Sequence, residues 1–216
     1  MTICLFDLDG TLVDSTQPVL TALNAALDDL DLASVTIEDL NFIIGPPLRA
    51  TFGTLVAERG GNVATADRLL DAYRSGYRTT SIDLATSYPG VPELLDDLRG
   101  HTRLGVVTSK PTAYAIPILD ALGFSSIMQV MEGPGLSETE AKPATLARAL
   151  DRLGVVSDSD SVFMIGDRHH DIEAGRSAGV WTIGVTWGFG SRDELGEAGA
   201  DYVVDTPDEV REIVLG

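Results

Sequence analysis

Short apolar runs set the rhythm of this chain. Ile3-Cys4-Leu5-Phe6, Leu104-Gly105-Val106-Val107-Thr108, Ile127 to Met131, Val162-Phe163-Met164-Ile165, Trp181 to Val185 and Tyr202-Val203-Val204 read as strands. Between them apolar positions recur at helical spacing, predicting helices near Val91 to Arg99, Pro111 to Leu122, Pro143 to Leu153, Asp171 to Ala178, Asp193 to Glu197 and from Pro207 onward. Strands alternating with helices imply right-handed crossovers and a parallel sheet covered by helices on both faces, an α/β Rossmann-like core. From residue 15 to about 84 the pattern differs. Leu20, Leu23, Leu27 and Leu30 form one stripe, Thr36 to Leu40 starts a short helix, and Gly45-Pro46-Pro47 breaks the chain. A further helix carries Leu48, Phe52, Leu55 and Val56, and another, from Thr65 to about Ser81, carries Ala66, Leu69, Leu70, Tyr73 and Tyr77. The expected organisation is a core of residues 1–14 and 85–216 with a small α-helical cap, 15–84, inserted after the first strand.

Composition narrows the classes. Of 216 residues 44% are hydrophobic and 22% charged, a globular balance. Fifteen Lys and Arg against 33 Asp and Glu leave a net charge of −18, a field that repels polyanions, so no nucleic-acid partner is expected. No apolar run reaches the ~20 residues of a membrane span. No membrane partner and a cytoplasmic location are therefore expected. Cys4, the single cysteine, sits in an apolar run and reads as core.

Three of the strands end in reactive residues. The first ends in Asp7-Leu8-Asp9-Gly10-Thr11, a second in Thr108-Ser109-Lys110, a third in Gly166-Asp167-Arg168-His169-His170-Asp171. Parallel sheets bind ligands at the carboxyl ends of their strands, so these groups are expected in one pocket, with Lys142 as a cation beside it. Alternation along the first strand puts Asp7 and Asp9 on one face, where they repel unless a divalent cation neutralises them or one holds a proton. Gly10 permits a tight turn with its N–H exposed, as a phosphate-holding loop requires. Taken singly each group has an ordinary structural explanation; their joint placement gives them weight.

In these motifs the chain resembles the haloacid dehalogenase superfamily, specifically its phosphatases with a helical cap. The resemblance implies Asp7 as nucleophile, Asp9 as general acid/base, the Thr108 hydroxyl and Lys142 as phosphate partners, and Asp167 with Asp171 as the acidic loop. It further implies Mg²⁺ held by the Asp7 side chain, the Asp9 carbonyl and Asp167, with Asp171 direct or through water. Gly10, Thr108, Ser109 and Lys142 are the expected phosphate-binding set. Tyr88-Pro89-Gly90 and the tail Ile183-Gly184-Val185 through Trp187-Gly188-Phe189-Gly190-Ser191 to Ala200-Asp201-Tyr202 resemble the phosphoglycolate phosphatase branch.

A Mg²⁺-dependent hydrolase of a small phosphorylated metabolite is therefore expected, as a monomer or homodimer. A 5'-nucleotidase, a pyrophosphatase, a sugar-phosphate mutase and, from another class, a phospho-accepting signalling module are the alternatives. Specificity is expected in the insert, where Arg49 can grip a substrate carboxylate bidentately. His169 and His170 read as structural or as outer-sphere residues, since the neighbouring acids suit Mg²⁺ better. His101 reads as a surface turn residue, and Lys110 is open between the pocket and an ordinary ion pair. Ser109, where the branch often has Asn, and the acidic stretch Glu132 to Glu140 depart from the branch pattern.

Overall fold

The computed structural model describes residues 1–44, 48–136, 140–155 and 161–216. The expected break at Gly45-Pro46-Pro47 and the middle of the acidic stretch lie outside them. Among the described residues the chain divides into two compact units, Met1–Asp14 with Thr86–Gly216, and Ser15–Ala85.

The first unit is built on a parallel sheet. Its strands are β1 (Thr2–Phe6), β4 (Arg103–Val107), β5 (Met128–Glu132), β6 (Ser161–Gly166), β7 (Trp181–Val185) and β8 (Tyr202–Val204). Their order is β5-β4-β1-β6-β7-β8. β1 lies between β4 and β6, with Leu5 opposite Gly105 on one side and Met164 on the other. Pleating sends Ile3, Leu5, Val107, Val130, Val162 and Met164 to one face. There they pack on Leu146, Ala149 and Leu153 of α7 (Lys142–Leu153) and Ala174 of α8 (His169–Ala178). Cys4, Phe6, Leu104, Val106, Phe163 and Ile165 alternate with these and are buried too. Burial on both faces is why these strands read as continuous apolar runs. In that setting the Cys4 thiol is pushed up to about 12, chiefly by burial, and is an inert core group.

The remaining helices of this unit are α5 (Val91–Leu98), α6 (Thr112–Ala121), α9 (Arg192–Glu197) and α10 (Pro207–Leu215). A two-stranded antiparallel ribbon joins β2 (Val13–Asp14) to β3 (Thr86–Ser87). Strands of two residues have no periodicity to read, and the sequence reading passed over them. Glu132, expected in a loop, instead closes β5 and is buried.

The second unit is helical: α1 (Thr16–Asp28), α2 (Leu40–Ile43), α3 (Leu48–Glu58) and α4 (Val63–Asp83). α4 buries Ala66, Leu69, Leu70, Tyr73 and Tyr77, and its Asn62 cap accepts the Thr65 N–H at 3.1 Å. Phe52 meets Tyr73 edge-on at 5.3 Å between ring centroids. Two expectations need correction. The buried stripe of α1 includes Val19, Ala22, Leu23, Ala26 and Leu27, while Leu20 and Leu30, the latter beyond the helix end at Asp28, are only half-buried. α2 begins at Leu40, not Thr36: the Asp39 carboxylate accepts the Thr36 N–H at 2.7 Å and holds a turn ahead of the helix. No helix among the described residues is long and apolar enough to cross a membrane.

Candidate active site

Sheet order explains why three strand ends matter. β4, β1 and β6 are neighbours: the sheet grows from β1 through β4 to β5 on one side and then through β6 to β8 on the other, and such a reversal of strand order is where open α/β sheets bind ligands. Asp7 follows β1 directly, its N–H donating to the Ile165 carbonyl at 2.8 Å. β1 itself ends at Phe6, so the ladder, rather than strand alternation beyond it, aims Asp7.

Four charged groups meet there. One oxygen from each of Asp7, Asp167 and Asp171 lies within 4.8 Å of the others, and all three residues are buried. The Lys142 ammonium, at the start of α7, lies 2.8 Å from Asp7 Oδ1 and also bonds Asp171 Oδ1. Burial opposes the Lys142 charge, but Asp171 and Asp7 outweigh it and raise its pKa. With all four ionised the cluster carries an excess of two negative charges. Burial, with Asp171 and Asp9 adding repulsion against the pull of Lys142, lifts Asp7 to about 6. Burial, then the Asp171 and Asp7 charges, raise the Asp167 carboxyl well above its ordinary value.

The acids are rigidly held. Thr11 donates its hydroxyl to Asp167 Oδ1 at 3.2 Å, and the Phe189 N–H donates to Asp167 Oδ2 at 2.8 Å. The loop after β7 makes this second bond possible, because side chains at Gly188 or Gly190 would overlap Asp167. The Trp187 indole N–H anchors the same loop on the Thr11 carbonyl at 3.0 Å. Asp171 Oδ2 accepts the Arg168 N–H at 3.0 Å at the start of α8. Gly10 corrects an expectation. Its φ of +87° suits the turn, but its N–H donates to the Val13 carbonyl at 2.9 Å and is not exposed for a phosphate. A Cβ there would overlap the Asp167 carboxylate, so the glycine makes room for an acid.

Asp9 lies beside this cluster, with Lys110 Nζ 2.7 Å from its Oδ1. The Lys110 N–H also donates to Thr108 Oγ1 at 3.1 Å, so one residue ties Asp9 to buried Thr108; Ser109 beside them is exposed. Tyr88 is half-buried, and burial raises its phenol, with Asp14, Asp167 and Asp9 adding to the shift. Arg49 lies in the helical unit, exposed and ion-paired with Asp67 on α4. His101 is exposed in the turn before β4. The sequence reading missed Thr11, Phe189 and the role of Trp187; the signal for them was the pair of glycines just past the β7 run.

The pocket's donor set is carboxylate oxygen, which suits a hard divalent cation such as Mg²⁺, and its two excess charges match one such ion.

This architecture, an acid pocket at the central strand ends of a parallel sheet, is that of a family of hydrolases. The profile of the haloacid dehalogenase-like hydrolases matches residues 4–185, and the chain belongs to that family. Its relatives there include a 5'-nucleotidase of Pseudomonas aeruginosa, 37% identical over 88% of this chain and 85% of that protein. A phosphoglycolate phosphatase of Rhodospirillum rubrum is 34% identical over 93% of this chain and 86% of its own. A solved structure, described as a predicted phosphatase from Clostridium acetobutylicum, superimposes with a TM-score of 0.85 at 31% identity, covering 99% and 98% of the two chains.

Proposed function

We propose that this chain is a Mg²⁺-dependent phosphomonoesterase acting on a small phosphorylated metabolite, phosphoglycolate phosphatase-like, through an aspartyl-phosphate on Asp7. The observation that carries the reading is the Lys142 ammonium between Asp7 and Asp171 with Asp167 in reach: a nucleophile, a fixed cation and acids with surplus negative charge in one buried place.

A phosphoryl group shields itself with negative charge, so a carboxylate attacks it only where that charge is countered. Mg²⁺ held by the Asp7 side chain, the Asp9 carbonyl and Asp167, with Asp171 direct or through water, would supply most of this countercharge. Lys142 and the Thr108 hydroxyl supply the rest. An Asp7 oxygen forms the new P–O bond as the ester P–O bond breaks, and Asp9 gives its proton to the departing alkoxide. Asp9, now a carboxylate, takes a proton from water as that water attacks phosphorus and frees Asp7. Lys110 orients the Asp9 carboxylate for the second transfer. Selectivity is assigned to the helical insert, with Arg49 as the residue that binds a substrate carboxylate.

The test is phosphate release from phosphoglycolate, nucleoside monophosphates, sugar phosphates and pyrophosphate, with Mg²⁺ or EDTA. Mg²⁺-dependent release, absent from Asp7→Asn, is expected. Release by Asp7→Asn at the wild-type rate, or a long-lived phosphoenzyme without sustained release, would overturn the reading. The Pseudomonas relative, named a 5'-nucleotidase, supports a second reading in which nucleoside monophosphates lead the panel.

A further inference from the structure

A second set of metal-ligating side chains lies outside the acid pocket. His169 and His170 open α8 with their ring centroids 3.8 Å apart, and Glu173 follows one turn later. One donor atom from each of the three falls within 4.8 Å of the others. His169 Nδ1 lies 2.8 Å from Glu194 Oε1, which also accepts the His169 N–H at 3.0 Å and Arg168 Nε at 2.9 Å. An ionised carboxylate only accepts, so Nδ1 is the donor in this contact and Nε2 is the nitrogen left for a metal ion. A carboxylate holding the far nitrogen of an imidazole is the outer-sphere support that metal-bound histidines characteristically have.

We propose that His169, His170 and Glu173 form a binding site for a borderline divalent transition-metal ion of the Zn²⁺ class, separate from the carboxylate pocket. Donor chemistry separates the two. Two imidazoles and one carboxylate select Zn²⁺, Ni²⁺ or Cu²⁺ over Mg²⁺, whereas three carboxylates favour the hard ion. Beside His169 the groove is lined by Glu173, Asp193, Glu194 and Glu197, whose negative potential draws cations in. Three protein donors leave positions open for water or an added ligand.

Zn²⁺ binding to the whole protein, read by competition with a chromophoric chelator in a large excess of Mg²⁺, tests this independently of turnover. One equivalent of Zn²⁺ is expected to bind, and His170→Gln and Glu194→Gln are each expected to weaken it about tenfold or more. Cu²⁺ added to the unaltered protein is expected to show electron paramagnetic couplings to two imidazole nitrogens, which needs no variant to fold. The chain's third histidine, His101, precedes β4 at the opposite sheet edge and cannot complete the pair. Absence of stoichiometric Zn²⁺ binding, unchanged binding in folded His170→Gln, or a Cu²⁺ spectrum without nitrogen coupling would overturn the proposal.

Discussion

Two charge clusters lie at strand ends of the α/β unit and are built on opposite rules. At the end of β5, Glu132 is 4% exposed and faces Arg148 Nε at 2.5 Å and Arg152 Nη1 at 2.7 Å. Arg148 also bonds Glu140 and donates to the Gly133 carbonyl at 3.0 Å, so that two carboxylates meet two guanidiniums. The cluster is balanced, and it clamps both ends of the segment leading to Lys142. At the end of β1, three carboxylates share one lysine. Balance is what a fold needs. Surplus charge, held by Thr11 and Phe189, works against the fold, and under the proposed function it is the charge that a bound cation would neutralise.

The largest expected effects are on turnover. Asp7→Asn is expected to bring phosphate release down to background, and Asp9→Asn to slow it by about 10²- to 10⁴-fold, read in steady-state assays. Stability should then separate the clusters by sign. Arg148→Met strips a buried carboxylate of one partner and is expected to cost about 2–3 kcal/mol in urea unfolding, with Arg152 limiting the loss. Asp167→Asn, by contrast, relieves repulsion and is expected to stabilise the metal-free protein by about 1 kcal/mol. Destabilisation by both would erase the distinction.

A pH experiment refines it. Asp7, at about 6, and Asp167 are raised in the folded state, so the metal-free folded chain binds more protons than the unfolded one between the ordinary carboxylate range and about pH 6. Its stability from these groups therefore falls as pH rises through that window, and Mg²⁺ is expected to restore it. The gain in Tm on adding Mg²⁺ is expected to be larger at about pH 7.5 than at about pH 5, and to vanish in Asp167→Asn. The smallest effect is at Arg49. Its exposed pair with Asp67 contributes under about 1 kcal/mol, so Arg49→Ala is expected to leave stability nearly unchanged while raising KM for phosphoglycolate but not for a sugar phosphate.

The long strands were legible because burial on both faces makes them continuous apolar runs, and α4 because its aromatic and leucine stripe keeps helical spacing over the whole segment. Asp7, Thr108 and Asp167 stood out because polar residues break off apolar strands at one edge, and Lys142 as a cation at the start of a helix beside them. Short-range geometry was not legible. The two-residue ribbon, the turn that delays α2, and Glu132 at a strand end rather than in a loop depend on partners distant in sequence.

Local pattern was enough to name the strands, the helical insert and the groups gathered at the sheet edge, since hydrophobic periodicity and strand-end polarity are properties of neighbouring residues. Pairing had to come from the fold. That Lys142 bridges Asp7 and Asp171, that Lys110 holds Asp9, that Gly10 yields its space to Asp167, and that Glu194 anchors His169 are contacts between chain segments far apart in sequence. Such contacts follow from strand order and helix register, and these emerge only when the whole core packs.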